Sequence, residues 1–183
     1  MSVVLAITVE SFRVVTSRLI PGHVVRKLPV AVALAAILAG CGGSSAPKAQ
    51  LVQGPGFRFE APAGWQVVRA PHRVSAARGT ERVQVATFPL LKPYSEGLFD
   101  RVARELAARM SQVAAQVHGS VSGTKTVTVA GIRSHSYEVK VGDHVEEYTF
   151  VLRGLHEVLL LCRRKAASSD AACKQLLSGF ELR

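Results

Sequence analysis

The middle of the chain carries an apolar pattern with a helical period. Its apolar residues recur at steps of three or four positions: Phe99, Val102, Leu106, Met110, Val113 and Val117. This spacing places them on one face of an amphipathic helix. We therefore predict one long helix with a single buried stripe, in which Met110 fills the core and does not serve a cofactor.

Beyond His118 the pattern changes from helical to alternating, which is typical of β-strands. Residues 124–164 predict four strands joined by two-residue turns at Ala130-Gly131, Gly142-Asp143 and Gly154-Leu155. In this register Tyr137 faces Tyr148, and Tyr148 faces Leu161. One side of the sheet then carries these three residues with Val139, Phe150 and Leu159, and the other side carries Val158, Leu160 and Cys162. Because the last strand is apolar on both sides, both sides must be covered.

Shorter elements are predicted on either side of this region. A strand near 57–60, a turn at 62–64, a strand from Trp65 and a hairpin over 73–88 precede the helix, and Pro89 and Pro93 interrupt the pattern before it. A short terminal helix is expected at about 170–178. The long helix suits one face of the sheet and the terminal helix suits the other. The predicted fold class is α+β, an antiparallel β-sheet meander flanked by a long helix and a short C-terminal helix.

The order of these elements resembles the Mog/PsbP-like fold, an α/β/α sandwich. The resemblance covers roughly 56–183, and the residues that carry it are Phe57, Phe59, Pro62, Gly64, Trp65 and the Cys162/Cys173 spacing. The family includes the extrinsic PsbP protein of photosystem II and many small bacterial lipoproteins. It implies a binding or assembly-supporting domain more often than an enzyme. Its photosynthetic members support a manganese cluster and its eukaryotic members bind a small GTPase, but no motif here assigns either role to a residue.

The N-terminal region predicts export and a lipid anchor. Arg26 and Lys27 precede an apolar run over 30–38, about half the length that a membrane-spanning helix needs. The run closes on Leu-Ala-Gly-Cys, which resembles the bacterial lipobox and makes Cys41 the lipidated N-terminus of the mature protein. The alternative is an ordinary signal peptide with an incidental cysteine. The first 23 residues fit a signal poorly, and a start of translation near Val24 would leave a conventional leader.

The predicted organisation is therefore a lipoprotein-type signal peptide at 1–40, a lipidated cysteine with a flexible tether at 41–55, and a single domain at 56–183. Once Cys41 is assigned to the lipid, two cysteines remain, Cys162 and Cys173. In an oxidising compartment such a pair predicts a disulfide. A metal pair is the alternative, but with ten residues between the two thiols and no histidine nearby they form at most half a zinc site.

The charge of the chain is strongly positive. Residues from Cys41 onward contain 19 Lys and Arg against 12 Asp and Glu. Such an excess favours solubility and attraction to anionic head groups or cell-wall polymers. Nucleic acid is not expected as a partner, because the basic residues near the start of the domain lack the interleaved aromatics of a base-stacking surface. The expected partners are the membrane, through Cys41, and an envelope protein or small ligand.

Signatures of catalysis are absent from the sequence. There is no Gly-x-Ser-x-Gly motif and no phosphate-binding glycine loop. Ser134 adjoins His135, but neighbouring residues on a strand point to opposite faces. The histidines after the leader are interpreted as exposed residues that share no ion, of which His135, His144 and His156 lie in the strand region. No cofactor and no metal site is expected.

One weak candidate site remains. Glu138 faces Glu147 in the predicted register, and like charges that face each other need a cation between them. Lys125, Lys140, a divalent ion or a partner's basic side chain would supply it. We therefore expect a membrane-anchored extracytoplasmic lipoprotein, not an enzyme, that binds a ligand or protein. The alternative is an envelope hydrolase or metal-dependent enzyme whose site is assembled from dispersed residues.

Overall fold

The structure is a computed structural model and describes residues 49–183. The predicted signal peptide, Cys41 and the first part of the predicted tether lie outside the described residues. Within 49–183, no helix has the length and apolar character needed to cross a membrane.

The described part contains nine strands and two helices. The strands are β1 (Ala49–Gly54), β2 (Phe57–Pro62), β3 (Gln66–Ala70), β4 (Arg73–Arg78), β5 (Glu81–Tyr94), β6 (Ser120–Val129), β7 (Ile132–Val141), β8 (His144–Lys165) and β9 (Glu181–Leu182). The helices are α1 (Phe99–Gln116), which follows a single 3-10 turn at Glu96–Leu98, and α2 (Ala171–Ser178). One sheet has the order β1-β2-β9 and the other has the order β3-β4-β5-β8-β7-β6, with every pairing antiparallel.

The long extended segment β8 doubles back on itself. A straight strand of its 22 residues would span roughly 70 Å. Its two ends nevertheless lie close together, since the backbone N–H of Ala166 donates to the carbonyl of Asp143 at 2.8 Å. Gly154 has φ +55, as a tight reversal requires. The first arm pairs with β7 and the second with β5, so the predicted turn at Gly154-Leu155 and the four-strand meander are both confirmed.

The other two predicted turns are also confirmed. Val129 pairs with Ile132 and Val141 pairs with His144, so each loop contains two residues. Tyr137 faces Tyr148 as the alternation predicted. The strand that precedes the first of these turns begins at Ser120, four residues before the predicted start.

The two faces of the larger sheet bury separate apolar clusters. On one face α1 covers the predicted set of six sheet residues, Tyr137, Val139, Tyr148, Phe150, Leu159 and Leu161, with its stripe of Val102, Leu106, Met110 and Ala114. On the other face α2 and the smaller sheet cover Val158, Leu160 and Cys162. The prediction of two covering layers is therefore confirmed, although β1, β2 and β9 share the second layer with α2.

A disulfide ties α2 to the sheet. Cys162 on the second arm of β8 bonds to Cys173 in α2, with 5.4 Å between their Cα atoms. Both cysteines are buried, and Leu176 of the same helix is 1% exposed. The predicted disulfide is confirmed, and α2 lies on the face of the sheet that the alternation assigned to Cys162.

The domain begins earlier than predicted. Strand β1 lies inside 41–55, the segment predicted to be a flexible tether, and it pairs along its whole length with β2. Val52 of β1 is 1% exposed and belongs to the core. Gly54 is needed at the turn, because a Cβ there would clash with the ring of Phe57. The prediction of a tether over 41–55 is therefore wrong for the residues that form β1.

Strand β5 continues through two prolines that were expected to end it. Its regular pairing with β8 runs to Pro89, then the register shifts and resumes at Tyr94, which faces Gly154. Proline lacks the N–H that the ladder requires, so these residues interrupt the hydrogen bonding without ending the extended backbone. The irregular stretch lies at one end of the larger sheet, beside a cleft that the two sheets form.

Candidate functional site

The predicted pair of facing carboxylates is present in the structure. Glu138 of β7 lies directly opposite Glu147 of β8. The cation between them is supplied by the chain, because Nζ of Lys125 lies 2.7 Å from Oε1 of Glu147. Arg164 approaches Glu138 from the other side, with 3.8 Å between Nη2 and Oε2. Lys125 was one of the predicted cations and is the one observed beside Glu147. Arg164, which contacts Glu138, was not predicted.

Hydroxyl groups complete this polar cluster. Ser136 donates to Oε1 of Glu147 at 3.0 Å, and Thr149 donates to the Ser136 hydroxyl at 3.0 Å. Ser122 donates to Oε1 of Glu138 at 2.8 Å. Within residues 49–183, no group of three or more His, Cys, Asp or Glu residues is placed to hold a metal ion. The arrangement stabilises two facing strands and offers no ready nucleophile.

We expect Lys125→Met to lower the free energy of unfolding by about 1 kcal/mol, because the Glu147 carboxylate then faces Glu138 without its own cation. The size is modest because the Lys125 side chain is 58% exposed. Adding Glu147→Gln to that variant should recover part of the loss, as measured by urea unfolding. Lys140→Met, at an exposed lysine on the same strand face as Glu138, is the matched control and should change little.

The same variants test the divalent-ion alternative. If millimolar Ca²⁺ or Mg²⁺ raises the thermal midpoint of the wild type but not that of Glu147→Gln, a metal ion occupies this pair and our interpretation of Lys125 as its cation is wrong.

His135 is not the exposed residue that was predicted. It is 6% exposed, and its Nε2 lies 3.1 Å from the carbonyl oxygen of Phe99. Its ring stacks on the Phe99 ring with 3.8 Å between centroids, and the Arg133 guanidinium lies 3.8 Å from the same ring. Phe99 begins α1 and covers this part of the sheet, which local sequence pattern does not reveal. The histidine therefore fastens the start of the helix to β7.

This burial makes stability depend on pH. Burial holds the pKa of His135 below its usual value of 6.5, and the nearby Arg133 acts in the same direction, while the Phe99 carbonyl and Asp100 oppose it. A depressed histidine pKa means that the unfolded chain takes up a proton more readily. We therefore expect stability to fall as pH drops below about 6.5.

Urea unfolding at pH 7.5 and pH 5.0 measures this effect. The loss of stability between the two pH values should be smaller in His135→Gln than in the wild type. His72→Gln, at an exposed histidine, is the control and should behave as the wild type does. An equal loss in His135→Gln and the wild type would contradict the assignment.

The histidines and serines do not form a catalytic pair among the described residues. Ser134 donates to the carbonyl of Ile132 at 3.0 Å, away from His135. His144 interacts through Nδ1 with Asp143 at 2.6 Å, and His156 is exposed on the far arm of the β8 hairpin. The predicted separation of His135, His144 and His156 is therefore observed, whereas their predicted exposure holds only for His156.

One ion pair of the described chain has a fully buried carboxylate and was not predicted. Arg109 of α1 forms a bidentate ion pair with Glu157 of β8. Its Nη2 donates to Oε1 at 2.6 Å and its Nη1 donates to Oε2 at 3.2 Å. The Glu157 side chain is fully buried, and the guanidinium also lies 4.7 Å from the centre of the Phe150 ring. Glu157 alternates with Leu159 and Leu161, which were predicted to face the helix, so its position was a signal in the sequence that a buried partner was needed.

A second buried polar contact lies on the face of the sheet that α1 covers. The Tyr148 hydroxyl donates to Oε2 of Glu146 at 2.5 Å, and Nε of Arg163 lies 3.6 Å from Oε1 of that carboxylate. Burial and the Glu146 charge raise the pKa of Tyr148, so its hydroxyl remains a donor. The side chains of Glu146 and Glu147, which are neighbours in sequence, thus form their contacts on opposite faces of the sheet.

A cleft of about 770 Å³ lies between the two sheets. It forms where the irregular stretch of β5, the β8 turn, the β1–β2 turn and β9 meet. Its apolar lining includes Pro55, Phe88, Pro89, Leu155, Val158 and Leu182. Its polar lining includes His72, Thr87, Arg153, His156 and Arg183. The volume is in the range of small-ligand sites.

Comparison with known proteins identifies the fold. No protein-family model and no curated protein sequence matches the chain. The solution structure of cyanobacterial PsbP (CyanoP) from Synechocystis sp. PCC 6803 is similar with a TM-score of 0.57 and 16% identity, covering 80% of this chain and 99% of that one. A crystal structure from Bacteroides thetaiotaomicron VPI-5482 gives a TM-score of 0.42 and 12% identity, covering 70% of this chain and 45% of that one. The chain has a PsbP-like α+β fold, as the order of its elements predicted.

Proposed function

We propose that this chain is an exported lipoprotein, anchored to the cell membrane through Cys41, whose domain is a non-enzymatic binding or assembly module of the cell envelope. The lipobox-like end of the leader supports the anchor. The Cys162–Cys173 bond supports export, since disulfides persist in oxidising compartments. The PsbP-like fold is compatible with a module that binds or supports other molecules.

The observation that carries the binding role is the cleft between the two sheets. It combines an apolar lining with a few polar side chains at its mouth, the usual composition of a ligand site. Three groups that the sequence analysis considered for catalysis or ion binding, Ser134, His135 and Glu147, are engaged in contacts that stabilise the fold. Binding therefore explains the described surface better than catalysis does.

The first experiment is the intact mass of the protein recovered from membranes of its own host after mild detergent extraction. We expect a chain that starts at Cys41, carries lipid and lacks two hydrogens because of the disulfide. A protein that retains its leader and carries no lipid would contradict the anchor. A bound species of additional mass would identify a ligand directly.

The enzymatic alternative is tested separately. A binding module captures its partner saturably, which chemical cross-linking in host membranes would reveal, and it shows no turnover. If a turnover were found and His135→Gln or Glu147→Gln abolished it with the fold intact, the proposal would be wrong and a dispersed active site would replace it.

A further inference from the structure

The mouth of the cleft carries basic side chains. The side chains of Arg153 and Arg183, with those of His72 and His156, are all exposed there, and no aspartate or glutamate of the described chain lines the cleft. Within residues 49–183, neither arginine forms an ion pair with an acidic side chain. Five other arginines differ in that each pairs with a glutamate: Arg58, Arg78, Arg109, Arg163 and Arg164. The Arg153 guanidinium is therefore available to an anion from outside the described chain.

The floor of the same cleft is apolar and partly open. Leu155, at the tip of the β8 turn, is 51% exposed, and Phe88 and Leu182 are half-buried beside it. Val158 continues the lining into the core that α2 covers. Leu155 is therefore not an isolated surface residue but part of a continuous apolar lining.

We propose that this cleft binds an anionic single-chain amphiphile, with its carboxylate or phosphate at Arg153 and its aliphatic body against Leu155, Phe88 and Leu182. The inference rests on the proposed binding role and gives that role a ligand class. Charge complementarity selects the anion, because a guanidinium without an internal partner forms charge-assisted hydrogen bonds with such groups. The apolar floor favours a ligand with an aliphatic tail, because binding removes both that tail and the Leu155 side chain from water.

The size of the cleft favours a small amphiphile over a protein surface. Small-ligand sites enclose about 300–1,000 Å³, whereas a stable protein interface buries about 800 Å² on each partner and is flatter. At 770 Å³ the cleft has room for a single acyl chain and its head group. A docked acidic peptide is the competing occupant, and photolabelling with an amphiphile separates the two.

The test uses the protein as recovered from host membranes, exchanged into nanodiscs of zwitterionic phospholipid. The probe is a decanoate analogue that carries a photoreactive diazirine, and labelled peptides are located by mass spectrometry. We expect label on the peptides that contain Leu155 and Phe88, with competition by decanoate but not by acetate or inorganic phosphate. The matching diazirine analogue of decanol, which lacks the charge, should label these peptides much less.

Matched variants sharpen the result. At sub-saturating probe, Arg153→Gln should lower the labelling of the cleft about ten-fold, as expected for the loss of a charge-assisted contact. Leu155→Ser should lower it as well, whereas Arg101→Gln, at an exposed arginine on α1, should leave it unchanged. Equal labelling by the decanol analogue, or equal labelling of wild type and Arg153→Gln, would overturn the inference.

Failure of this inference is distinguishable from failure of the proposed function. If the decanoate probe leaves the cleft unlabelled while host cross-linking captures an acidic protein segment at Arg153, the ligand class is wrong and the binding role stands. If the cleft is labelled as expected on a protein that carries no lipid, the inference stands and the anchor at Cys41 is wrong.

Discussion

Replacing Arg109 by methionine should lower the free energy of unfolding by about 3–5 kcal/mol, the largest effect that we expect from a single substitution outside the apolar core. The reason is that Glu157 is fully buried and its carboxylate then has no cation. Methionine preserves most of the side-chain volume, so the loss reports the charge and not a cavity. Urea unfolding monitored by circular dichroism measures it.

The two halves of this ion pair should behave differently. Glu157→Gln should cost less than Arg109→Met, because the arginine side chain is 21% exposed and keeps some hydration when its partner is neutralised. The double variant Arg109→Met/Glu157→Leu should recover most of the loss, since a buried pair replaced by apolar residues is often neutral in stability. Lys174→Met removes an exposed ion pair with Asp170 and is the control, for which we expect little change.

Two results would contradict this explanation. If Arg109→Met unfolded like the wild type, the pair would not be what holds α1 against β8. If the double variant were as unstable as Arg109→Met, the loss would come from altered packing around Phe150, over which the guanidinium lies, and not from an unpaired charge.

Removing the disulfide is the second large effect. The double variant Cys162→Ala/Cys173→Ala should lose about 3 kcal/mol of stability, because the bond restricts the unfolded chain over a loop whose ends are 11 residues apart. The terminal helix should respond most. With only eight residues, α2 cannot remain helical without its attachment and its buried contacts.

Hydrogen exchange locates this effect and urea unfolding gives its size. We expect amides of α2 to exchange much faster in the double variant, while amides at the centre of α1 keep most of their protection. A reducing agent should destabilise the wild type by a similar amount and leave the double variant unchanged. Unfolding of the double variant within about 1 kcal/mol of the wild type would show that packing around Leu176, and not the bond, holds the helix.

Local pattern was sufficient for most of the sheet. A two-residue turn sets the register of a hairpin, so the glycines at 131, 142 and 154 determined which side chains face each other. Alternation then separated the residues that face α1 from those that face α2. The same reasoning was enough to place Glu138 opposite Glu147.

Contacts between distant elements could not be obtained in this way. Strand β1 was predicted to be part of a tether, because its local sequence does not show that it pairs with β2. His135 looked exposed, because the start of α1 that covers it is 36 residues away in sequence. Lys125 was one of two candidate lysines for the Glu138–Glu147 pair, and Arg109 was one of many surface cations. Only the three-dimensional packing shows that these two residues form the ion pairs.

Periodicity and short turns were enough to predict the α+β class, the hairpin registers and the buried stripe of α1. The cysteine pairing was predicted from the count of thiols once Cys41 was assigned to the lipid. The identity of the cation beside each buried carboxylate and the position of the cleft could be obtained only from the three-dimensional structure. The cleft, with Arg153 at its mouth, forms where β9 and the β1–β2 turn approach the β8 turn. Both outcomes depend on distances between elements far apart in the chain, and those distances are set by the packing of two sheets and two helices together.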